Sequence, residues 1–343
     1  MNLNFLRRQR VVGLDVGRGS VKALVLERRG TEDIVVGRGV SRIESTLDNR
    51  HTAQAIHTAL AAAGATGEPV IAAVGGPDIV IRQVSLPPLP PAKIIPALEI
   101  QYRELGLLPP GESVMDAQVL RRSKDGTSHD VLSISVPKAL VDERTRVLQA
   151  ASVTVQTLDV EPLALLNAAL YITGLETGEL LVLLNVGRQS SSLCLFSEGG
   201  PVVARYLDVG AEVFSEQLSA AFGTSSPATE SFLRGIPATE LPRAQRACRD
   251  LVERIAEDMR LSLTFYRTEY DRDSLPRYAI GGWSDLAPLG RWVSERIGLS
   301  APLELMDPFK AVELRLKATI PVPDAAESGP QYLQAFGLAL RGL

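Results

Sequence analysis

The feature that most constrains the fold is a strand–turn–strand segment that occurs twice. Residues 11–30 read VVGLDVGRGSVKALVLERRG, two apolar strands joined by a glycine-rich turn. Residues 180–200 read LLVLLNVGRQSSSLCLFSEGG and repeat the pattern when Asp15 is aligned with Asn185. The positions that then match are Val16 and Val186, Gly17 and Gly187, Arg18 and Arg188, Ser20 and Ser190, and Gly30 and Gly200. One such turn would predict only a hairpin, whereas two predict two similar lobes, each with a phosphate-type turn.

The residue types in both turns suit the phosphates of a nucleotide. Glycines let backbone N–H groups approach an anion closely. Asp15 is placed to hold Mg²⁺ through water, because a hard cation prefers carboxylate and water oxygens, and Lys22 could neutralise phosphate charge. A later strand, YAIGGW, ends in a third glycine turn against which adenine and ribose could lie. The sequence therefore predicts ATP and Mg²⁺ as cofactors. The predicted nucleotide-binding residues are Asp15, Gly17, Arg18, Gly19, Ser20, Lys22, Asn185, Gly187, Arg188, Gln189, Ser190, Gly281, Gly282 and Trp283.

Two further residues bear on hydrolysis. Glu161 stands just before a proline that opens a helix, and its side chain either positions and deprotonates an attacking water or complements the helix dipole. Asn185 replaces the acid of the first turn with an amide, which cannot supply a second carboxylate near the metal. We therefore expect ATP binding with weak or no ATPase activity. The alternative, that the glycine segments are only turns of an α/β scaffold, does not account for their repetition and order.

Composition narrows the classes of function. Hydrophobic residues make up 45% and charged residues 22% of the 343 residues, which is typical of globular domains. The net charge of −4 provides no basic field, so nucleic acid is not expected as a partner. Cys194 and Cys248 have no metal or redox spacing, residues 1–10 lack the apolar core of a signal peptide, and no apolar run is long enough to span a membrane. We expect a cytoplasmic protein whose residues 1–10 form a solvated arm.

The positions of prolines and glycines in the sequence predict two inserted subdomains. The segment LPPLPP, residues 86–91, predicts a stiff crossing into a small subdomain that contains a helix and a hairpin at residues 113–136. The strand before it, residues 79–86, shifts phase at Arg82–Gln83, which predicts a bulge. Residues 243–270 contain no Gly or Pro and predict a long amphipathic helix, broken at most once. Thr52 is a candidate N-cap for the helix that runs to Ala63.

These motifs resemble those of the actin-like ATPase superfamily. GLDVGRGSVK is similar to its first phosphate motif, LNVGRQSSS to its second, YAIGGWSDL to its adenosine motif, and DVEPLALLNAA and YLQAFGLALR to its two connecting helices. Within the superfamily the chain resembles the PilM family of type IV pilus assembly. The similarity extends over IVIRQVSLPPLPPAKIIPALEIQ, VLSISVPKALVDERTRVLQAASVTVQTLDVEPLALLNA and IAEDMRLSLTFYR.

The resemblance implies an α/β, actin-like (ribonuclease H-like) fold of two lobes with two inserted subdomains. The first lobe would comprise residues 1–86, 137–176 and 331–343, with the insertion at 87–136. The second lobe would comprise residues 177–223 and 276–330, with a helical subdomain at 224–275. The implied function is an ATP-binding adaptor that holds the cytoplasmic N-terminal peptide of a PilN-like inner-membrane protein near the first insertion. It would thereby connect the inner-membrane complex to the pilus motor ATPase and be peripheral to the membrane.

Two departures and two alternatives accompany this interpretation. Asn185 stands where the family commonly has Asp, and Gly281–Gly282–Trp283 is shorter than the usual glycine run. Both bear on hydrolysis more than on fold or partner. A filament-forming FtsA-like adaptor is one alternative, although the chain ends in LALRGL and not in an amphipathic anchor. A small-molecule kinase is the other, although Asp15 and Glu161 are the only obvious acids for its chemistry.

Overall fold

The computed structural model describes residues 9–43, 49–108, 111–123, 125–176, 178–197, 200, 202–223, 236–270, 275–283, 287–316 and 329–343. The strands are β1 Gln9–Val16, β2 Ser20–Arg29, β3 Glu32–Arg42, β4 Val70–Val74, β5 Val80–Leu86, β6 Ser113–Arg122, β7 His129–Pro137, β8 Val155–Val160, β9 Leu180–Val186, β10 Ser191–Phe196, β11 Val202–Leu207, β12 Pro276–Gly282, β13 Glu304–Leu305 and β14 Glu313–Leu314. The helices are α1 Asn49–Ala62, α2 Pro91–Glu104, α3 Lys138–Ala150, α4 Glu161–Thr173, α5 Ala211–Phe222, α6 Leu241–Ala247, α7 Arg249–Tyr270, α8 Ala287–Ile297, α9 Pro308–Ala311 and α10 Leu333–Arg341.

Two mixed sheets form the two lobes. The first has the order β14-β3-β2-β1-β4-β8, and the second has the order β11-β10-β9-β12-β13. In each lobe two successive antiparallel strands form the predicted hairpin, β1–β2 and β9–β10. A strand from later in the chain then pairs parallel with the first strand of the hairpin, β4 with β1 and β12 with β9. The repeated sequence therefore folds as a repeated unit.

Helices α4 and α10 lie between the two sheets. A shared core joins Leu165 of α4 and Phe336 of α10 to residues of β2, β9 and β10. The opposite faces of the sheets are covered by α1 and α3 in the first lobe and by α5 to α8 in the second. Strand β9 is thus buried on both faces, which explains its continuous apolar run LLVLL.

Glycines allow α10 to pack closely against β1 and α4. A Cβ added to Gly13 would lie 2.0 Å from the backbone oxygen of Ala335, and one added to Gly337 would lie 1.8 Å from the backbone oxygen of Ala164. Neither contact leaves room for a side chain. Helix α10 therefore packs with its backbone directly against β1 and α4, which brings its N-terminal residues into the space beside the first hairpin.

A third sheet, of order β5-β7-β6, packs with α2 around Leu98 and Tyr102. The hydroxyl of Tyr102 hydrogen-bonds the hydroxyl of Ser133 on β7 inside this core. Strand β5 belongs to this small sheet, although we expected it in the first lobe and the insertion to begin at residue 87. The reason is that the proline segment separates β5 from α2, within the small subdomain, and does not separate the lobe from the insertion.

Other local predictions differ from the structure in smaller ways. Strand β5 pairs with β7 in continuous register, so the bulge at Arg82–Gln83 was wrong; the irregularity lies in β6, between Val119 and Arg121. Helix α1 begins at Asn49, so Thr52 is not its N-cap. The long helix is broken once, at Cys248, as the pattern allowed.

Some predicted features lie outside the described residues. They are the arm at residues 1–8, the start of the helical subdomain at 224–235 and most of the loop expected at 321–330. Among the helices that the structure describes, none combines the length and the apolar character needed to cross a bilayer.

Candidate functional site

The first hairpin presents a buried carboxylate beside its turn. Asp15 on β1 is 6% exposed and stands directly opposite Lys22 on β2. The Lys22 ammonium lies 3.1 Å from Asp15 Oδ2, and the side-chain amide of Gln334 on α10 donates to Asp15 Oδ1 at 3.1 Å. A buried charge requires such partners. The carboxylate is therefore held between a strand and the helix that separates the lobes.

The two hairpin turns have the same backbone closure. The N–H of Gly17 donates to the carbonyl of Ser20 at 3.1 Å, and the N–H of Gly187 donates to the carbonyl of Ser190 at 3.1 Å. At the tips, the described side chains of Arg18, Arg188 and Gln189 are exposed. The turn geometry that the repeat predicted is thus present in both lobes.

The second turn is hydrogen-bonded to the start of helix α5. The carbonyl of Gly187 accepts from the N–H of Ala211 at 2.9 Å, and that of Arg188 accepts from the N–H of Glu212 at 2.9 Å. These N–H groups belong to the first turn of α5, where the helix dipole is positive. The Arg188 guanidinium also lies 3.5 Å from the Glu212 carboxylate. Helix α5 thus fixes the position of the turn.

The two turns touch each other across the lobes. A Cβ added to Gly19 would lie 1.9 Å from Cδ of Arg188, so the arginine side chain rests on the backbone of the first turn. Gly19 is buried by this contact, and its carbonyl accepts from the N–H of Ile43 at 3.0 Å. The two phosphate-type turns therefore face a common space.

The third glycine turn lies beside the second hairpin. Gly281 and Gly282 on β12 pair with Asn185 and Val186 on β9, and the N–H of Trp283 donates to the carbonyl of Val186 at 2.8 Å. Gly282 has φ +94°, and a Cβ there would lie 2.3 Å from the Val186 carbonyl oxygen. The indole of Trp283 packs partly against the core of the second lobe. The structure thus brings the three predicted glycine segments together, while the side chain of Trp283 packs partly against the core of the second lobe.

Glu161 at the start of α4 faces the same space. A Cβ on Gly75 would lie 2.0 Å from Cδ of Glu161, so the carboxyl rests on the bare backbone of Gly75. The hydroxyl of Tyr206 donates to Glu161 Oε2 at 3.2 Å, and the side-chain amide of Gln334, which donates to Asp15, also lies near this carboxylate. Gln334 therefore lies between Glu161 and Asp15.

Burial raises the pKa of Glu161, and the nearby negative charge of Asp15 raises it further. The positive charge of Arg144 and the polar groups of Gln334 and Tyr206 oppose this shift. Such a carboxyl is poised for proton transfer more closely than a solvated one. Glu161 contacts Gln334 and Tyr206 and also lies in the field of the helix N-terminus. These contacts distinguish it from a surface acid that only complements the helix dipole.

Sequence reasoning missed several residues of this site. Gln334 was predictable in principle, because an amide inside the apolar run LQAFGLAL needs a buried partner. Arg144 on α3 donates to the carbonyl of Val16 at 2.7 Å, and no sequence pattern in this helix points to that contact. Tyr206 gave no signal, because a tyrosine in an apolar strand is ordinary. Glu212 gave no signal either, because an acidic residue in the first turn of a helix is common.

The donor set fits a cation that arrives with a nucleotide. Within the part of the chain that the structure describes, no three His, Cys, Asp or Glu side chains lie close enough together to hold a metal ion. Asp15 alone offers a carboxylate beside the first turn. One carboxylate suits Mg²⁺ that keeps most of its waters and takes its other oxygens from phosphates.

The sheets, the paired hairpins and the two helices between them define an actin-like ATPase fold. The model of the family described as type IV pilus assembly protein PilM matches residues 13–343. The chain belongs to this family. Among curated proteins, none matches the chain significantly.

Two solved structures are similar to the chain over nearly its whole length. The first is described as the PilM–PilN type IV pilus biogenesis complex, with a TM-score of 0.76, 23% identity and coverage of 98% of this chain and 99% of the other. The second is the ethanolamine utilization protein EutJ from Carboxydothermus hydrogenoformans, with a TM-score of 0.53, 14% identity and coverage of 98% and 91%. At these identities the likeness establishes the fold.

Proposed function

We propose that this chain is a nucleotide-dependent, cytoplasmic adaptor of type IV pilus assembly. It would bind ATP with Mg²⁺ between the two hairpin turns. It would hold the cytoplasmic N-terminal peptide of a PilN-like inner-membrane protein and so connect the inner-membrane complex to the motor ATPase. The observation that supports this most strongly is the contact of the two glycine turns at Gly19 and Arg188, directly beside the buried Asp15–Lys22 pair.

Each group at the site would have a distinct role. The backbone N–H groups and hydroxyls of the two turns would bind the phosphates, and Lys22 would exchange part of its contact with Asp15 for phosphate oxygens. Asp15 would then hold Mg²⁺ through water, and the Gly281–Gly282 turn would take the adenosine. The bound cation would supply charge neutralisation at the phosphates. This division places most of the charge in the first lobe and most of the backbone donors in the second.

We expect slow ATP turnover because neither Asn185 nor Glu161 is well suited to assist hydrolysis. Asn185 is an amide beside the Gly282 turn and offers no second negative charge to the metal. Glu161 already accepts a hydrogen bond from Tyr206, which leaves fewer lone pairs to orient a water. We therefore propose binding as the main use of the nucleotide.

Nucleotide binding is tested by calorimetry with Mg²⁺·ATP on the full chain and on Asp15→Asn. The variant keeps the size of the side chain but loses its charge, so the affinity should fall about tenfold or more, as is typical when one partner of a desolvated charge pair is removed. Asp33→Asn is the matched control, because Asp33 is a buried carboxylate paired with Arg28 at the far end of the β2–β3 hairpin. Equal affinities of wild type and Asp15→Asn would contradict the nucleotide half of the proposal.

The partner peptide is proposed to bind beside the small sheet, where two strand edges are available. In the described residues, β6 is an outer strand of the small sheet and β8 is an outer strand of the first sheet. Val114 on β6 and Val155 on β8 are 45% and 36% exposed. An extended peptide can add to such an edge through backbone hydrogen bonds while its side chains contact apolar residues. The complex named in the similar structure, PilM with PilN, supports this kind of partner.

A synthetic N-terminal peptide of the PilN-like protein from the same source, followed by fluorescence anisotropy, tests the adaptor half. Val114→Asp and Val155→Asp should each weaken binding severalfold, because a charge is placed where apolar contact is needed. Leu261→Asp on α7 is the control, since Leu261 is 53% exposed on the helical part of the second lobe. Absence of binding to the wild type, or equal loss in all three variants, would contradict this half.

A further inference from the structure

One hydrogen bond of the site joins the two lobes through a side chain that sequence reasoning did not single out. Tyr206 lies on β11, the outer strand of the second sheet, and pairs with Ser192 on β10. Its hydroxyl donates to Glu161 Oε2 at 3.2 Å and lies near the backbone of Gly76. Glu161 and Gly76 follow β8 and β4, and both belong to the first lobe.

The hydrogen bond between Tyr206 and Glu161 forms only when the lobes have this arrangement. The side chain of Tyr206 is partly buried, and burial raises its pKa, so the hydroxyl keeps its proton and acts as a donor. If the second sheet turned away, this bond would break, and Glu161 would lose a donor while remaining close to the like charge of Asp15. The loss of the bond disfavours separation of the lobes.

Neighbouring contacts support the same arrangement. Strand β5 of the small sheet lies alongside β11, and a cleft of about 240 Å³ between them is lined by Arg82, Ala204 and Phe265 among others. Arg82 and Glu269 of α7 are 3.7 Å apart across this cleft. This ion pair is partly exposed and contributes little. The Tyr206 contact is the better-shielded of the two cross-lobe links.

We propose that Tyr206 is a positioning residue that holds the lobes closed by linking Glu161, at the start of α4, to the second sheet. It contacts neither of the hairpin turns, so it acts on them through the angle between the lobes. A nucleotide that binds both turns favours the same closed arrangement. By linkage, the Tyr206 contact and the nucleotide then strengthen each other by the same factor. This coupling rests on the proposed nucleotide binding, whereas the closing role of Tyr206 does not.

The closing role is tested first without nucleotide, by measuring the distance between two labels. Labels at Gln54→Cys on α1 and Arg291→Cys on α8 report on the two lobes, because both positions are exposed. Native Cys194 and Cys248 are buried, and burial raises the pKa of both thiols, so they should stay unlabelled. With Tyr206→Phe, which removes only the hydroxyl, the distance distribution should broaden and extend to longer values.

Tyr278→Phe is the matched control, because Tyr278 lies on β12 of the same sheet and packs against the second lobe's own core. Its distance distribution should match that of the labelled chain with native tyrosines. A Tyr206→Phe distribution that superimposes on the native one would overturn the proposal. An equal change in both variants would also overturn it, because the effect would then be general to the sheet.

The coupling is tested by the affinity for Mg²⁺·ATP of the same two variants. Tyr206→Phe should weaken binding about three- to tenfold, the range expected for the net loss of one hydrogen bond. Tyr278→Phe should leave it unchanged. If the native chain binds no nucleotide, the proposed function fails, and the distance measurement still decides the role of Tyr206. If the native chain binds and Tyr206→Phe binds equally well, the coupling is refuted.

Discussion

The two carboxylates of the site are stabilised in different ways, although a single amide contacts both. Asp15 has a positive partner, Lys22, 3.1 Å away on the neighbouring strand. Glu161 accepts a hydrogen bond from the neutral phenol of Tyr206, and burial raises its pKa. The unequal partners suit a division of roles in which Glu161 can exchange a proton while Asp15 holds the cation of the proposed nucleotide.

This difference gives a prediction for the pH dependence of stability. Because the folded pKa of Glu161 lies above its ordinary value of 4.5, the folded state binds more protons than the unfolded state in the window above pH 4.5. The contribution of Glu161 to stability therefore falls as the pH rises through this window. Glu161→Gln should gain stability relative to wild type as the pH rises above 4.5, measured as the free energy of unfolding in urea.

Glu27 provides the control of opposite sign. Hydrogen bonds from Arg29 and Arg10 lower the pKa of Glu27, so its contribution is present above pH 4.5 and is lost as the pH falls through the folded pKa. Glu27→Gln should therefore be less stable than wild type at neutral pH and approach it in acid. A difference between Glu161→Gln and wild type that does not vary with pH would contradict the assignment for Glu161.

Among the elements, the close crossing of helices α4 and α10 requires a glycine at position 337. Gly337 lies in α10, and its Cα faces the Ala164 carbonyl of α4. Gly290 lies in α8, where an added Cβ would meet its nearest atom, Cγ2 of Ile280, at 3.5 Å. Both glycines are inside helices, where alanine is otherwise preferred. They differ only in the space around them.

Alanine substitutions at these two glycines should have opposite effects on stability. Gly290→Ala should stabilise the protein by about 0.5–1 kcal/mol, because it removes backbone freedom from the unfolded chain without a clash. Gly337→Ala should destabilise it by about 1–3 kcal/mol or more, because backbone atoms must move. Chemical denaturation of both variants measures this. Equal effects would show that helix propensity, and not the helix crossing, determines the outcome.

Elements with local signals were predictable from the sequence, and long-range pairings were not. The glycine that follows α5, Gly223, has φ +67°, a left-handed conformation that favours glycine, so the end of this helix has a local sequence signal. In contrast, β5 pairs with β7, and no local residue pattern specifies that partner. The same limit applies to the site. The turn residues were found by their repetition, but Gln334 contacts Asp15 across 319 residues of chain.

For the whole molecule, the described residues of the two lobes meet at the helices α4 and α10, at the Tyr206 hydrogen bond, at the two hairpin turns and, beside the small sheet, at the Arg82–Glu269 ion pair. The helices form an apolar core that sets the closeness of the sheets. The two turns touch directly through Gly19 and Arg188. The spacing of the proposed phosphate-binding groups therefore depends on this contact, and a change at either turn should be felt at the other.

A double-mutant cycle at the two turns tests this coupling. Gly19→Ala places a methyl group where Arg188 Cδ now lies, so it should push the turns apart and weaken Mg²⁺·ATP binding severalfold. In an Arg188→Ala background Cδ and Cγ are removed and Cβ remains 3.0 Å away, so Gly19→Ala should have a much smaller effect. The coupling energy should be about 0.5–3 kcal/mol, as for residues in direct contact.

Gly17→Ala is the control for this cycle, because its nearest neighbour is the Ser20 carbonyl of its own turn. Its effect should be the same in both backgrounds. Additive effects of Gly19→Ala and Arg188→Ala on nucleotide affinity would mean that the two turns bind phosphate independently of each other.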